Sequence, residues 1–232
     1  MVQIKSLCKN FNTLPVLDNI NLSINDKEIL ALIGPSGCGK STLLNILAGL
    51  EMPDSGSIQI DNKISYMFQT PRLLPWRTVR ENISLVKDNN NPQEVEDLLQ
   101  AVGLADFANY YPNQISGGMA RRCALARAFY YGGEVFLMDE PFQGLDYTLR
   151  MEMVAMLLSI WQKEKKAILF VTHEIDEALT LATKIAILSP RPAKILEIIP
   201  LPKPEGRNAS TIELAKIRQH IIHRISPLKN SL

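Results

Sequence analysis

Gly34-Pro35-Ser36-Gly37-Cys38-Gly39-Lys40-Ser41 matches G-x-x-x-x-G-K-[ST], the phosphate-cradling P-loop, and constrains this chain more than any other stretch. The motif works where a strand runs into a glycine loop and a helix starts at its end. Both flanks are present. Glu28-Ile29-Leu30-Ala31-Leu32-Ile33 predicts a short buried strand, and Ser41-Thr42-Leu43-Leu44-Asn45-Ile46-Leu47-Ala48 predicts the start of a helix. Backbone N–H groups then point at phosphate, and the helix dipole adds partial positive charge. The alternative is a glycine-rich turn with a surface lysine, which does not require those flanks. Average residue usage puts a chance match in a chain of this length at about one in a hundred. A nucleoside triphosphate with Mg²⁺ is the expected ligand.

The 232 residues allow one large α/β domain with a small subdomain inserted. With 21% charged and 46% hydrophobic residues and a formal charge of +1, no basic stripe points to nucleic acid. Cys8, Cys38 and Cys123 are too scattered for a disulfide framework or a zinc site, which fits a reducing cytosolic location. Cys38 reads as a small loop residue and not as a nucleophile. The N-terminus passes straight into a strand pattern, so no signal peptide is expected. No apolar run reaches the ~18 residues of a membrane span, so membrane work would require another chain.

Strands are predicted at 2–8 and 20–25, with a small strand pair at 57–60 and 64–68 after the turn Pro53-Asp54-Ser55-Gly56. Residues 71–115 change character. They hold four prolines and a helical stretch near 92–102 with Val95, Leu98, Leu99 and Val102 at helix spacing, and read as a helical insert. Helices at 118–131, 146–163 and from Glu174 then alternate with apolar strands at 134–138, 167–171 and 184–189, which implies a parallel sheet covered on both faces. The domain is expected to span 1–190, with 191–232 a short extension ending in an amphipathic helix at 210–225.

Val135-Phe136-Leu137-Met138-Asp139-Glu140-Pro141 is an apolar strand ending in two carboxylates, at the end where ligands bind in such sheets. Asp139 is expected to hold Mg²⁺ together with the Ser41 hydroxyl, and Glu140 to polarise the attacking water. Alone, an ordinary solvated acidic pair would be the better reading; a P-loop in the same chain needs a metal-binding carboxylate. Ser116-Gly117-Gly118-Met119 opens a helix, with Ser116 as N-cap and two glycines that let backbone approach phosphate.

The P-loop, Gln69, Ser116-Gly117-Gly118, Asp139-Glu140 and Val171-Thr172-His173, in this order, resemble the ATPase subunits of ABC transporters over roughly residues 1–190. The resemblance implies an α/β fold: a P-loop NTPase core with a parallel sheet, an N-terminal antiparallel β-subdomain and an inserted helical subdomain. It implies that Gly34 to Ser41 and Thr42 hold ATP, with Lys40 on the β and γ phosphates. Gln69 becomes the residue that senses Mg²⁺ and water and links to the membrane partner. Ser116 to Met119 becomes the signature that contacts ATP held by a second copy, Asp146 in Gly144-Leu145-Asp146 the D-loop residue, and His173 the switch at the γ-phosphate. Phe11 stands where the family stacks an aromatic on adenine, or it is core. His220 and His223 read as surface positions.

A narrower resemblance, to the nitrate, sulfonate and taurine importers, rests on Leu73 to Ile83, on Met119 and on Leu188-Ser189-Pro190-Arg191-Pro192. The family resemblance implies a homodimer on the cytoplasmic face of the membrane, peripheral to an integral-membrane permease and served indirectly by an extracytoplasmic solute-binding protein; the net charge of +1 leaves no nucleic-acid partner expected. Trp76 and its leucines either face the permease or form subdomain core. The chain departs from the family at Ala120-Arg121, which stands for the more usual Arg-Gln pair, and at Gly144, where Ala is commoner. A soluble ABC-type ATPase without a permease is the rival; it usually carries a coiled-coil insertion or two ATPase halves. A nucleotide kinase would explain the P-loop but not the signature or His173.

Overall fold

β-Branched and apolar residues make the N-terminal third a run of strands. In the computed structural model, which describes residues 1–60, 63–88, 91–164, 166–204, 207 and 211–229, β1 (Val2–Phe11) and β2 (Leu14–Ile24) form a hairpin. Its turn places Asn12 at φ 54°, a left-handed value that asparagine tolerates. β3 (Ile29–Ile33) is buried throughout and leads through the glycine loop into α1 (Lys40–Leu47). β4 (Ser55–Ile60) and β5 (Ile64–Met67) follow, then α2 (Val79–Ser84) and α3 (Pro92–Ala101). Thr78 and Glu81 start α2 with a reciprocal capping box, and the Asn91 side chain caps α3 with Pro92 in its first turn. After two 3-10 turns come α4 (Gly117–Tyr131), β6 (Val135–Asp139), α5 (Tyr147–Glu164), β7 (Ala167–Val171), α6 (Ile175–Leu181) and β8 (Lys184–Leu188). β9 (Ile195–Pro200) and α7 (Ile212–Lys229) complete the order; residue 210 of the predicted last helix lies outside the described residues.

The chain divides into two units. The first takes residues 1–62 and 165–232. It contains an antiparallel sheet in the order β2-β1-β4, with Ile4 opposite both Leu22 and Ile58. It also contains a parallel set in which β3 lies between β7 and β8, and β8 pairs antiparallel with β9. β3 and β7 are buried at every position, so both their faces are covered, as continuous apolar strands require. α7 is held to α6 by Arg218 and Asp176, 3.0 Å apart, and to β9 by Glu197, which accepts from Arg224 Nε at 2.9 Å and meets His220 Nε2 at 2.9 Å.

The second unit takes residues 63–164. β5 and β6 pair in parallel, Ile64 with Val135 through Met67 with Met138. α2 and α3 present Val79, Ile83, Val95 and Leu99 to the interior, all at most 2% exposed. A fully buried leucine such as Leu99 contributes about 2 kcal/mol by the area it removes from water. The Tyr130 hydroxyl on α4 accepts from the Asn91 backbone at 3.0 Å, which ties the start of α3 to α4.

The strand pair expected at 57–60 and 64–68 is not a pair. β4 pairs with β1 and β5 pairs with β6. β1 is long enough to take a strand on each edge, and at Gly56, φ 92°, a Cβ would lie 2.5 Å from the Ser6 carbonyl oxygen, so only glycine fits that approach. Adjacency in sequence misled because neither strand's pattern names its partner.

Candidate nucleotide site

In the first unit the P-loop forms as its spacing requires. Gly39 ends the loop at φ 117° and is the N-cap of α1; a Cβ there would lie 2.9 Å from both Leu17 Cδ2 and Val16 Cγ1. Gly34, Pro35 and Cys38 are buried, while Ser36, Gly37 and Ser41 face solvent and Thr42 is half-buried. The first turn of α1 carries no acidic residue, so that turn itself does not offset the positive end of the helix. Lys40 is 7% exposed and folds back over the loop. Its Nζ donates to the carbonyls of Gly34 at 2.9 Å and Pro35 at 2.8 Å. An ammonium so placed holds the loop's shape and presents charge where an anion would sit. Burial pushes the Cys38 thiol up despite the nearby Lys40 charge, which keeps the thiol neutral and unreactive.

His173 follows β7 in the same unit. β3 and β7 are parallel neighbours, Leu32 opposite Val171, and the Thr172 N–H donates to the Leu32 carbonyl at 3.2 Å. The P-loop and His173 therefore leave the sheet from adjacent strand ends, the carboxyl ends where such sheets bind ligands. The His173 side chain is 50% exposed, with Nε2 3.9 Å from Glu174 Oε1. Phe11, at the end of β1, is 43% exposed, which removes the core reading; the Lys9 ammonium lies 5.0 Å from its ring centre.

In the second unit Asp139 ends β6, 7% exposed. Burial, followed by the Asp139 charge, raises the Tyr66 phenol above its ordinary range, so Tyr66 is a neutral neighbour of that carboxylate. Glu140 takes φ 46°, a left-handed value rare for glutamate, and its carbonyl accepts from the Gln143 N–H at 3.2 Å to close a turn. Such strain, of order 1–3 kcal/mol, is characteristic of functional sites. Gln69 follows β5; its Nε2 donates to Gln143 Oε1 at 2.7 Å, so Gln69 and the turn after Glu140 are joined.

Ser116 caps α4, its Oγ accepting from the Met119 N–H at 3.2 Å. Gly117 is exposed with nothing within 4 Å of where a Cβ would stand, whereas Gly118 is buried with Leu149 Cδ2 2.7 Å from that position. The first turn of α4 also lacks acidic residues. Asp146 caps α5, accepting from the Leu149 N–H at 3.0 Å.

Residues 17–143 match the ABC transporter family model. The chain belongs to the ABC transporter family. It is 43% identical over 218 residues to the aliphatic sulfonates import ATP-binding protein SsuB of Bacillus subtilis, an alignment covering 89% of this chain and 86% of the relative. It is 40% identical over 228 residues to the ABC transporter ATP-binding protein MJ0412 of Methanocaldococcus jannaschii, covering 92% and 85%. Among solved structures it is similar to the dimeric post-hydrolysis state of the ATP-binding cassette MJ0796 bound to ADP and Pi, with a TM-score of 0.78, 28% identity, and coverage of 87% of this chain and 99% of that one.

This ABC cassette contains supports that motif reading missed. The Thr172 hydroxyl bonds the buried Glu177 carboxylate beside His173. Two α4 arginines bond carbonyls of the loop that begins at Gln69: Arg121 reaches Gln69, and Arg127 reaches Pro71 and Arg72. The Thr172-to-Glu177 spacing marks a strand running into a helix and could have signalled the first. Nothing local signals the arginines, whose partners lie more than 50 positions away. Among the described residues, no helix is long and apolar enough to cross a membrane.

Proposed function

We propose that this chain is the ATP-hydrolysing subunit of an importer, powering uptake of a small anion or a sulfonate-like or related solute through a separate membrane permease. The observation that carries this reading is the Lys40 cradle at the base of α1, with His173 leaving the neighbouring strand end. Lys40 and the α1 N–H groups bind the triphosphate. Glu140 positions and polarises the attacking water, and His173 holds the γ-phosphate end. Gln69 reports the state of the nucleotide, and Phe11, exposed at a strand end, stacks on the base.

The Ser41 hydroxyl, the Asp139 carboxylate and the Gln69 amide oxygen are each hard oxygen donors of the kind Mg²⁺ takes, and would be its ligands. Asp139 fits that part as a carboxylate kept at the end of an otherwise apolar buried strand. When bound, Mg²⁺ neutralises charge on the phosphate oxygens.

The Ser116 to Met119 turn serves a nucleotide held by a second copy, in a two-fold head-to-tail homodimer, with Asp146 at the same interface. The dimeric state of the similar cassette bound to ADP and Pi supports this arrangement. ATP drives closure to the extent that it binds the closed dimer more tightly than the open one. The subunit works at the cytoplasmic face of the membrane, against the permease, with a solute-binding protein outside. The similarity to sulfonate-import subunits supports import and the solute class.

The test pairs chemistry with partnership. Glu140→Gln should keep ATP binding and slow hydrolysis about 10²–10⁴-fold. The tagged chain, extracted from native membranes, should carry a multi-helix membrane protein in stoichiometric amount. Near-normal turnover in the variant removes Glu140 from the mechanism. A soluble partner only, or none, replaces the importer with a permease-free ATPase.

A further inference from the structure

Gln69 is held at two points within its own unit. Its side-chain Nε2 donates to Gln143 Oε1 at 2.7 Å, and its backbone carbonyl accepts from Arg121 Nη1 at 3.1 Å. Arg121 lies in the second turn of α4, the helix whose first turn is Ser116-Gly117-Gly118-Met119. Further along the same helix, Arg127 donates to the carbonyls of Pro71 at 2.6 Å and Arg72 at 3.0 Å. α4 thus grips the segment 69–72 through three carbonyls. A guanidinium suits this, because its rigid fork of donors stays charged and loses little freedom for each bond formed. Arg72 itself sits at φ 47° and lays its guanidinium 3.7 Å from the Phe68 ring centre, so the segment has an enforced shape as well as an anchor.

The two anchors differ. Arg127 holds the distal part of the segment, whereas among the described residues it is Arg121 that bonds the peptide carrying the Gln69 side chain. The Arg121 guanidinium also reaches the loop after Glu140, its Nη2 lying 3.9 Å from where a Cβ on Gly144 would stand.

We propose that Arg121 is a positioning residue for Gln69: its bond to the Gln69 carbonyl fixes the backbone that presents the Gln69 amide and ties it to the helix beginning with the Ser116 to Met119 turn. This rests on the reading that Gln69 serves ATP hydrolysis. In consequence, the first turn of α4 and the Gln69 amide are displaced together and not independently.

The test uses the full chain with Arg121→Ala, Arg121→Lys and Gln69→Ala. Hydrogen exchange is measured over the peptide spanning residues 68–74, and ATP turnover is measured beside it. Arg121→Ala should exchange faster there at unchanged melting temperature. Its kcat should fall about tenfold, the worth of one charge-assisted hydrogen bond, with KM for ATP within about twofold. Arg121→Lys, which keeps one charged donor, should recover part of both losses. Wild-type exchange over 68–74 in Arg121→Ala overturns the proposal. If Gln69→Ala slows turnover and Arg121→Ala does not, the positioning role falls while the reading of Gln69 stands. If Gln69→Ala hydrolyses ATP normally while Arg121→Ala still exchanges faster, the tether stands and the role of Gln69 in hydrolysis falls.

Discussion

The Thr172 hydroxyl donates a 2.5 Å hydrogen bond to Oε2 of Glu177, and both residues are 2% exposed. Thr172 Oγ1 accepts the Glu174 N–H at 3.0 Å, so the hydroxyl hydrogen is directed at the carboxylate. The turn carrying His173 is therefore closed from both sides by one threonine. Thr172→Val keeps the shape and removes the donor beside a buried carboxylate. It should destabilise the protein by about 1–3 kcal/mol and lower turnover, whereas Thr172→Ser should restore most of both. Equal denaturation midpoints for wild type and Thr172→Val would show that the bond does not hold the turn.

Among the described residues, Lys40 Nζ bonds the Gly34 and Pro35 carbonyls and the Cys38 sulfur, all within the loop, so its charge is available to phosphate. Lys40→Ala should weaken ATP binding about 10–100-fold, as expected for the loss of a charge-assisted contact. A fluorescence titration with an ATP analogue measures this directly, and an unchanged affinity removes Lys40 from the site.

Gly117 has open space where a Cβ would stand and sits at the start of a helix, where alanine is the better helix former. Gly117→Ala should leave the melting temperature unchanged or raise it slightly. If the turn serves a second copy's nucleotide, the added methyl still blocks close approach, and hydrolysis should fall at least tenfold. Full activity in the melted-and-matched variant would argue that nothing docks on Gly117.

Glu197 is held below the ordinary glutamate range, chiefly by the Arg224 hydrogen bond and next by His220. A lowered folded-state pKa contributes stability that is complete above the unfolded value, near 4.5, and is lost as pH falls through the lower folded value. The wild type should therefore lose stability on acidification through and below that range, and Glu197→Gln should show a shallower loss. Denaturation at stepped pH reads the difference; parallel curves would mean that the cluster does not anchor α7.

The glycine loop, its flanking strand and helix, the acidic end of β6 and the capped helix start at Ser116 are legible as local structure because each is a local device. A P-loop is eight consecutive residues whose glycines, lysine and hydroxyl must follow one another, and a helix cap is decided within three or four. Long apolar runs such as Ala167–Val171 likewise announced themselves as doubly covered strands. Phe11 shows the limit of that reading: an aromatic beside a turn fits the core or the surface equally well, and only its exposure in the folded chain separates the two.

Partners were another matter. The sequence pattern predicts both β4 and β5 as strands, yet their pairing with β1 and β6 depends on which edges the folded chain leaves open. β9 joins β8 antiparallel beyond a proline-rich stretch that reads as an ending. Arg121 looks like any helix-surface arginine until the fold brings it to a carbonyl 52 positions earlier. Motif chemistry acts over a few consecutive residues and is written there. Strand partners, caged carboxylates and arginine anchors are contacts between distant segments, and they exist only once burial of the apolar faces has chosen a single arrangement of those segments.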